Sequence, residues 1–269
     1  MSFDDDTSYD LHAIESCVAV FLASTRRSVD AVSMMLLRCG LMERLVVLGL
    51  AAGLGCGLAG GLAGTSAWAQ GSAAQVTAGQ RPTSTPYAGD LSIFEYPERD
   101  RKLQPNKVMD LLQVTPGKTF ADIGAGSGWF SVRAARRVGA HGTVYAEDIN
   151  QGALDYINTR AAKENLGNVK TVLGTPEDAK LPSQTIHAVL LLKAYHEIAN
   201  PVPFMTTLRA ALAPGARVGI IDRNGSGTDH GLNRDVVEHE MDQAGYRKVG
   251  LYDFTKADGQ DYFLIFQAK

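Results

Sequence analysis

Lys193-Ala194-Tyr195-His196-Glu197 follows an apolar run, Ile186 to Leu192, and sets a phenol, an imidazole and a carboxylate side by side. An imidazole titrates near neutrality, so His196 could take a proton from a hydroxyl, thiol or amine, or sit as a hydrogen-bonded packing residue at a strand end. Tyr195 is expected to wall a pocket beside it. A second stretch, Phe120 to Phe130, carries Asp122 followed by Gly124, Gly126 and Gly128. Glycines in such a turn allow positive φ angles and let backbone approach a ligand closely. Their G-x-G-x-G spacing is not the G-x-G-x-x-G of dinucleotide sites, and Trp129 stands where the third glycine of that fingerprint belongs. An acid two positions before the first glycine suits a ligand carrying an ammonium group better than one carrying two phosphates. Glu147-Asp148 is a third candidate, either a binding pair at a strand end or two solvated loop acids. No metal set is expected. His230 lies in a glycine-rich loop, and His239 and Glu240, adjacent on a helix, face different directions.

These residues need elements to hold them. Pro105 opens a short helix with Val108, Leu111 and Leu112 on one face, and Pro116-Gly117 turns the chain into a first strand ending at the glycine turn. Trp129 to Val138 then reads as an amphipathic helix. A strand at 142–146 ends at Glu147-Asp148, and a helix from Ala153 to Asn165 stops before Gly167. Strands follow at 169–173 and 186–192, the latter apolar on both faces as in a covered parallel sheet. A helix from Pro203 to Leu212 stopped by Pro214-Gly215, a strand at 217–222 and a helix from Arg234 to Ala244 complete the alternation. Two β-rich runs, 249–254 and 262–267, read as a closing hairpin across residues 256–260. The pattern predicts an α/β fold: a Rossmann-like doubly wound sheet, mostly parallel, with a C-terminal antiparallel β-hairpin. The loop 223–231 and residues 94–101 are candidate flaps over a ligand.

The N-terminal third differs in character. Residues 1–41 do not read as a domain and are expected to be a non-native or disordered leader. Met42-Glu43-Arg44, an apolar Leu/Gly/Ala run and Ala67-Trp68-Ala69 have the parts of a secretory signal peptide cleaved before Gln70, with an uncleaved membrane anchor as the other reading. The expected location is therefore periplasmic or secreted, or anchored to the inner membrane, and membrane contact is expected only through that segment. Residues 70–92, rich in small polar residues and proline, read as a flexible linker. The folded domain is expected over 93–269. All three cysteines, Cys17, Cys39 and Cys56, lie before residue 57, so no thiol chemistry is available to that domain. Of the 26 basic and 29 acidic residues, 4 and 7 precede residue 70, leaving the body with 22 of each. Neutrality argues against nucleic acid and for a small-molecule partner.

From about Arg99 to Lys269 the chain resembles class I S-adenosylmethionine-dependent methyltransferases, and among them a group of small bacterial predicted methyltransferases that includes exported members. The matching residues are Ala121 to Gly128, Val144 to Ile149, Tyr195-His196-Glu197 and the terminal hairpin. The resemblance implies S-adenosyl-L-methionine as cofactor. It sets Gly124, Ala125, Gly126 and Gly128 against the methionyl part, with Asp122 near its ammonium. It sets Asp148, or with a one-residue shift Glu147, on the ribose hydroxyls beside Ile149. The family's usual aspartate after strand three is replaced here by Thr175 and Pro176; Thr175 could still contact adenine, or Glu177 or Asp178 could take over. Lys193, Tyr195 and His196 would face the transferred methyl. The implied function is methyl transfer to a small-molecule acceptor, with an exported non-catalytic small-ligand-binding domain of the same fold as the alternative.

Overall fold

A computed structural model describes residues 80–269. The expected leader, the signal peptide or anchor at 42–69, and residues 70–79 of the expected linker lie outside the described residues. Among the described residues no helix is long and apolar enough to cross a membrane.

Helices α1 (Arg99–Leu103) and α2 (Pro105–Leu111) lead into strand β1 (Thr119–Ile123). Then come α3 (Trp129–Val138), β2 (Thr143–Asp148), α4 (Gln151–Lys163), β3 (Val169–Leu173) and β4 (Ile186–Leu192). The chain continues with α5 (Pro201–Leu208), β5 (Leu212–Asp222), α6 (Arg234–Gln243), β6 (Tyr246–Tyr252) and β7 (Tyr262–Ala268). The seven strands form one sheet in the order β3-β2-β1-β4-β5-β7-β6. β1 to β5 pair in parallel, and β7 runs antiparallel between β5 and β6. This is the doubly wound, mostly parallel architecture the sequence predicts.

Side-chain alternation explains why both faces are covered. Phe120, Leu190, Ile221 and Phe263 point to one face, where α1, α2 and α3 bury Leu103, Met109 and Phe130. Ala121, Leu191, Ile220 and Leu264 point to the other, against Met205 of α5 and Met241 of α6. Helix α4 closes the edge over Ala146 through Leu154 and Ile157. Asn150 and Asn233 cap α4 and α6 by accepting from the N–H groups of Gly152 and Asp235.

Three boundaries differ from expectation. Pro214-Gly215 does not stop a helix but bulges out of β5: Ile186 pairs with Leu212 and Ala188 with Arg217, so residues 213–216 bow out where proline has no N–H to give a ladder. The closing hairpin is joined through a 3-10 turn, Phe254–Asp258, ended by Gly259 in the left-handed region. The linker expected to run to residue 92 is fastened to the body from Arg81 onward. Arg81 donates through its N–H to the Ala199 carbonyl at 2.9 Å, and its guanidinium meets Glu240 at 3.0 Å and the carbonyls of Tyr195 and Ile198 at 2.8 and 2.7 Å. Ser84 is buried and Leu91 nearly so. The strap has little apolar surface, as its composition indicates. It is held instead by charge-assisted hydrogen bonds to the carbonyls of Tyr195 and Ile198 and by the ion pair with Glu240.

Candidate active site

A cavity of about 930 Å³ opens over the carboxyl ends of β1, β2 and β4, where ligands bind in open α/β sheets. The strap roofs it with Pro86, Tyr87, Leu91 and Phe94, and the loop after β5 contributes His230. Of the residues singled out in the sequence, Asp122, Gly124, Ala125, Gly126, Glu147, Asp148, Ile149, Thr175, Pro176, Lys193 and His196 line it.

The glycine turn and the two acids of β2 form one hydrogen-bonded unit. Gly126 donates its N–H to Asp148 Oδ2 at 2.9 Å, and Gly124 donates to Glu147 Oε2 at 3.3 Å. The other Asp148 oxygen accepts from the Asn150 N–H at 2.9 Å, which fixes the carboxylate at the lip of the cavity. Glu147 is buried beneath Gly174, where any Cβ would collide with its carboxylate. Gly124 has φ +66° and a Cβ there would lie 2.6 Å from that of Ala194, so both conformation and space demand glycine. Gly126 differs: the nearest atom to a Cβ is on Phe94 at 3.8 Å, leaving a recess a ligand can enter. Ser127 Oγ beside it is buried without a hydrogen-bond partner. Gly128 does not line the cavity as expected. It starts α3 with φ +69°, and its missing Cβ makes room for Ile157, 2.9 Å away, so its work is packing α4 against the turn.

Burial governs the charges here. Asp122, 2% exposed, accepts from Ser131 Oγ at 2.6 Å. Desolvation pushes its pKa up to about 7, opposed by that hydrogen bond and by Arg99. Desolvation pushes Glu147 up to about 8, opposed by the Gly124 N–H and reinforced by Asp148 and Asp122. Burial lowers Lys193 and Arg99, the latter stacked 4.2 Å over Trp129. Three acids crowd the glycine turn, two of them held partly neutral by burial, so a cationic ligand that favours their ionised forms suits the turn better than a pyrophosphate.

At the other end of the groove Ile149, 46% exposed, and Thr175 and Pro176 form the lip. Glu177 and Asp178 do not take over the missing acid's place. Thr175 donates its N–H to the Asp178 carbonyl at 2.9 Å, closing a turn, and the Asp178 carboxylate accepts from the Lys180 N–H at 2.9 Å.

Beyond β4, Tyr195–Glu197 forms a 3-10 turn. Successive side chains in such a turn point about 120° apart, so His196 faces the cavity while Tyr195 faces away. Tyr195 therefore neither walls the pocket nor reaches it: its ring is fully buried in the core, with the Arg81 guanidinium 5.5 Å above it. His196 is 1% exposed, and its Nδ1 lies 2.7 Å from Asp222 Oδ2 at the end of β5. The carboxylate accepts, so Nδ1 carries a proton, and in the neutral imidazole Nε2 presents a lone pair. Nε2 is buried without a hydrogen-bond partner; Glu197 Oε1 stands 3.8 Å from it. The His230 ring stands edge-on to His196 at 6.0 Å. The structure thus separates His230 from His239 and Glu240, the grouping considered from sequence. Glu240 is bound to Arg81, and His239 pairs with Gln243 on the same helix. Asp222 and the pairing of His230 with His196 were missed. The available signal for Asp222 was its position at the end of a strand parallel to β4, where Leu192 pairs with Ile221.

Residues 120–215 match a family of methyltransferase domains. An uncharacterized methyltransferase of Mycobacterium bovis is 29% identical over 146 residues, 54% of this chain and 55% of that protein. A ubiquinone/menaquinone biosynthesis C-methyltransferase of a Marinomonas species is 26% identical over 110 residues, 40% of this chain and 44% of its own. The chain thus spans about half the length of these curated relatives. In three dimensions it is similar to an S-adenosylmethionine-dependent methyltransferase from Aquifex aeolicus, with TM-score 0.61 and 22% identity over 68% of this chain and all of that one. It also shares its fold with the [4+2]-cyclase SpnF, at TM-score 0.54 and 12% identity over 70% of this chain and 86% of that one. The fold is therefore that of class I methyltransferases, and function has to be argued from the site.

Proposed function

We propose that this chain transfers a methyl group from S-adenosylmethionine to a small-molecule acceptor, because residues 120–215 match a family of methyltransferase domains and the fold is shared with a methyltransferase. The observation that carries the reading is the acidic wall of the glycine turn, Asp122, Glu147 and Asp148 together in one cavity with an open recess at Gly126. The donor set fits the cofactor's chemistry: Asp122 suits its ammonium, Asp148 its ribose hydroxyls, and Ile149, Thr175 and Pro176 the base. When bound, the cofactor supplies an electrophilic methyl on a sulfonium sulfur, so the chain is left mainly with alignment and proton handling. Tyr87, Leu91 and Phe94 cover one side of the cavity, and Lys193 and His196 face the end of the groove where the acceptor would lie. His196, with Nδ1 tied to Asp222, offers a fixed Lewis-basic nitrogen there.

Calorimetric titration with S-adenosylmethionine, its demethylated product and NAD tests the reading. Micromolar binding of the first two, none of the third, and a loss of at least about tenfold in Asp148→Ala are expected, since a charge-assisted hydrogen bond contributes about 1.5–3 kcal/mol. Failure of a folded sample to bind either sulfur compound would refute it. The Met42–Ala69 pattern supports export with cleavage after Ala69. The mass of the mature N-terminus tests that: retention of residues 42–69 would exclude cleavage.

A further inference from the structure

We propose that His196, Glu197 and His230 form a binding site for a divalent transition-metal ion at the acceptor end of the cavity. Two imidazoles and one carboxylate bring their ligand atoms within 4.8 Å of one another, and all three residues line the same cavity. Ligands of a four-coordinate ion at metal–ligand distances of about 2.0–2.1 Å stand roughly 3.3 Å apart. The 3.8 Å between His196 Nε2 and Glu197 Oε1 is therefore near the required separation. His230 is exposed, with a ring nitrogen within 4.8 Å of both other ligand atoms.

Two further observations point to a ligand. His196 Nε2 is an unpartnered polar atom on a side chain about 98% buried, and a buried acceptor without a donor is costly unless something binds it. Asp222 holds the opposite ring nitrogen at 2.7 Å, the outer carboxylate that metal-bound histidines commonly have, fixing the tautomer and raising the basicity of Nε2. The third ligand is also held from outside: Ser84 of the strap accepts from the His230 backbone N–H at 2.8 Å, and Arg223 Nε donates to the His230 carbonyl at 3.0 Å. The chain therefore invests buried and tethered groups in a loop that otherwise ends in solvent.

The proposal rests on the methyltransferase reading only for its consequence. Three protein ligands leave coordination positions open toward the cavity, where an acceptor hydroxyl could bind. Its O–H bond would break there, the proton passing to solvent water and the electron pair staying on oxygen. The acceptor class this favours is hydroxyl compounds, and His196 then uses its lone pair on the ion rather than on a proton.

The test uses the full chain, purified without a histidine tag, stripped with chelator and titrated with Co²⁺ alone. Visible absorption and elemental analysis should give about one cobalt per chain with a dissociation constant in the micromolar range. His230→Ala, at an exposed position, should weaken binding at least about tenfold, and Asp222→Asn about ten- to a hundredfold. Absence of bound cobalt at about 100 μM, or equal affinity in wild type and His230→Ala, would overturn the proposal. Titration of the metal-free chain with S-adenosylmethionine separates the two readings. Cofactor binding without cobalt binding overturns the metal site alone, while cobalt binding without cofactor binding upholds it and refutes the methyltransferase reading.

Discussion

Raising the pH from 6 to 8 should tighten the binding of S-adenosylmethionine. Asp122 has its carboxyl pushed up to about 7 by burial and faces Ser131, Arg99 and Asp148. At pH 6 it is about nine-tenths protonated and at pH 8 about nine-tenths ionised. If the ammonium binds the ionised form, Asp122 alone gives about a tenfold gain across that range. Glu147, pushed up to about 8, adds to the gain if it ionises too. Calorimetry at pH 6 in two buffers of different ionisation enthalpy should show the release of about one proton for Asp122. Asp122→Asn keeps a partner for Ser131 but loses the proton that Asp122 releases, so its affinity should be weak and its change between pH 6 and 8 about tenfold smaller than in the wild type. A wild-type affinity that does not change between pH 6 and 8, without proton release, would refute the electrostatic account of this wall.

The same two groups set the stability of the ligand-free protein. Their folded pKa values lie above their unfolded ones, so their contribution is fully present at acid pH and is lost as pH rises through about 7 to 8; the urea midpoint should fall between pH 6 and 9. Gly124→Ala combines a left-handed residue, about 1–2 kcal/mol, with a fixed collision against Ala194, about 1–3 kcal/mol, and should lower unfolding free energy by roughly 2–5 kcal/mol in denaturant titrations. Tyr195→Phe removes a hydroxyl that has no hydrogen-bond partner and does not line the cavity. It should leave turnover unchanged and shift stability by less than about 1 kcal/mol; a large fall in turnover would mean that Tyr195 takes part in the reaction.

The glycine turn and the Glu147-Asp148 pair were legible because their meaning is local. A strand, a tight turn and a helix start follow one another in sequence, and an acid at the end of the next parallel strand must lie beside them. The covered sheet was legible for the same reason, through alternation on β1 and the apolar run of β4. Asp222 and His230 were not, because they meet His196 only through the adjacency of β4 and β5 and through a loop whose path no periodicity encodes. Tyr195 was misplaced because sequence proximity to His196 says nothing about the 3-10 turn that sends neighbouring side chains to opposite sides. Pro214-Gly215 was read as a stop because a bulge and a terminus use the same residues.

The strap is the sharpest case of composition misleading about order, and it links stability to the site. Residues 81–91 bury little apolar surface, yet Arg81 satisfies two carbonyls next to His196 and pairs with Glu240, while Ser84 joins His230 across 146 positions of sequence. A chain beginning at residue 93, the boundary that composition suggests, would leave Glu240 partly buried without its cation. It should lose about 2–4 kcal/mol relative to one beginning at residue 70. Loss of stability alone would not implicate the site, so Ser84→Ala is the decisive variant. It removes one hydroxyl, costs about 1 kcal/mol, and frees the His230 loop. Cobalt affinity should fall several-fold in Ser84→Ala at a temperature where the protein remains folded, while affinity for S-adenosylmethionine, held by β1 and β2, should not change. Equal loss of both would mean that the strap orders the whole cavity rather than the acceptor end.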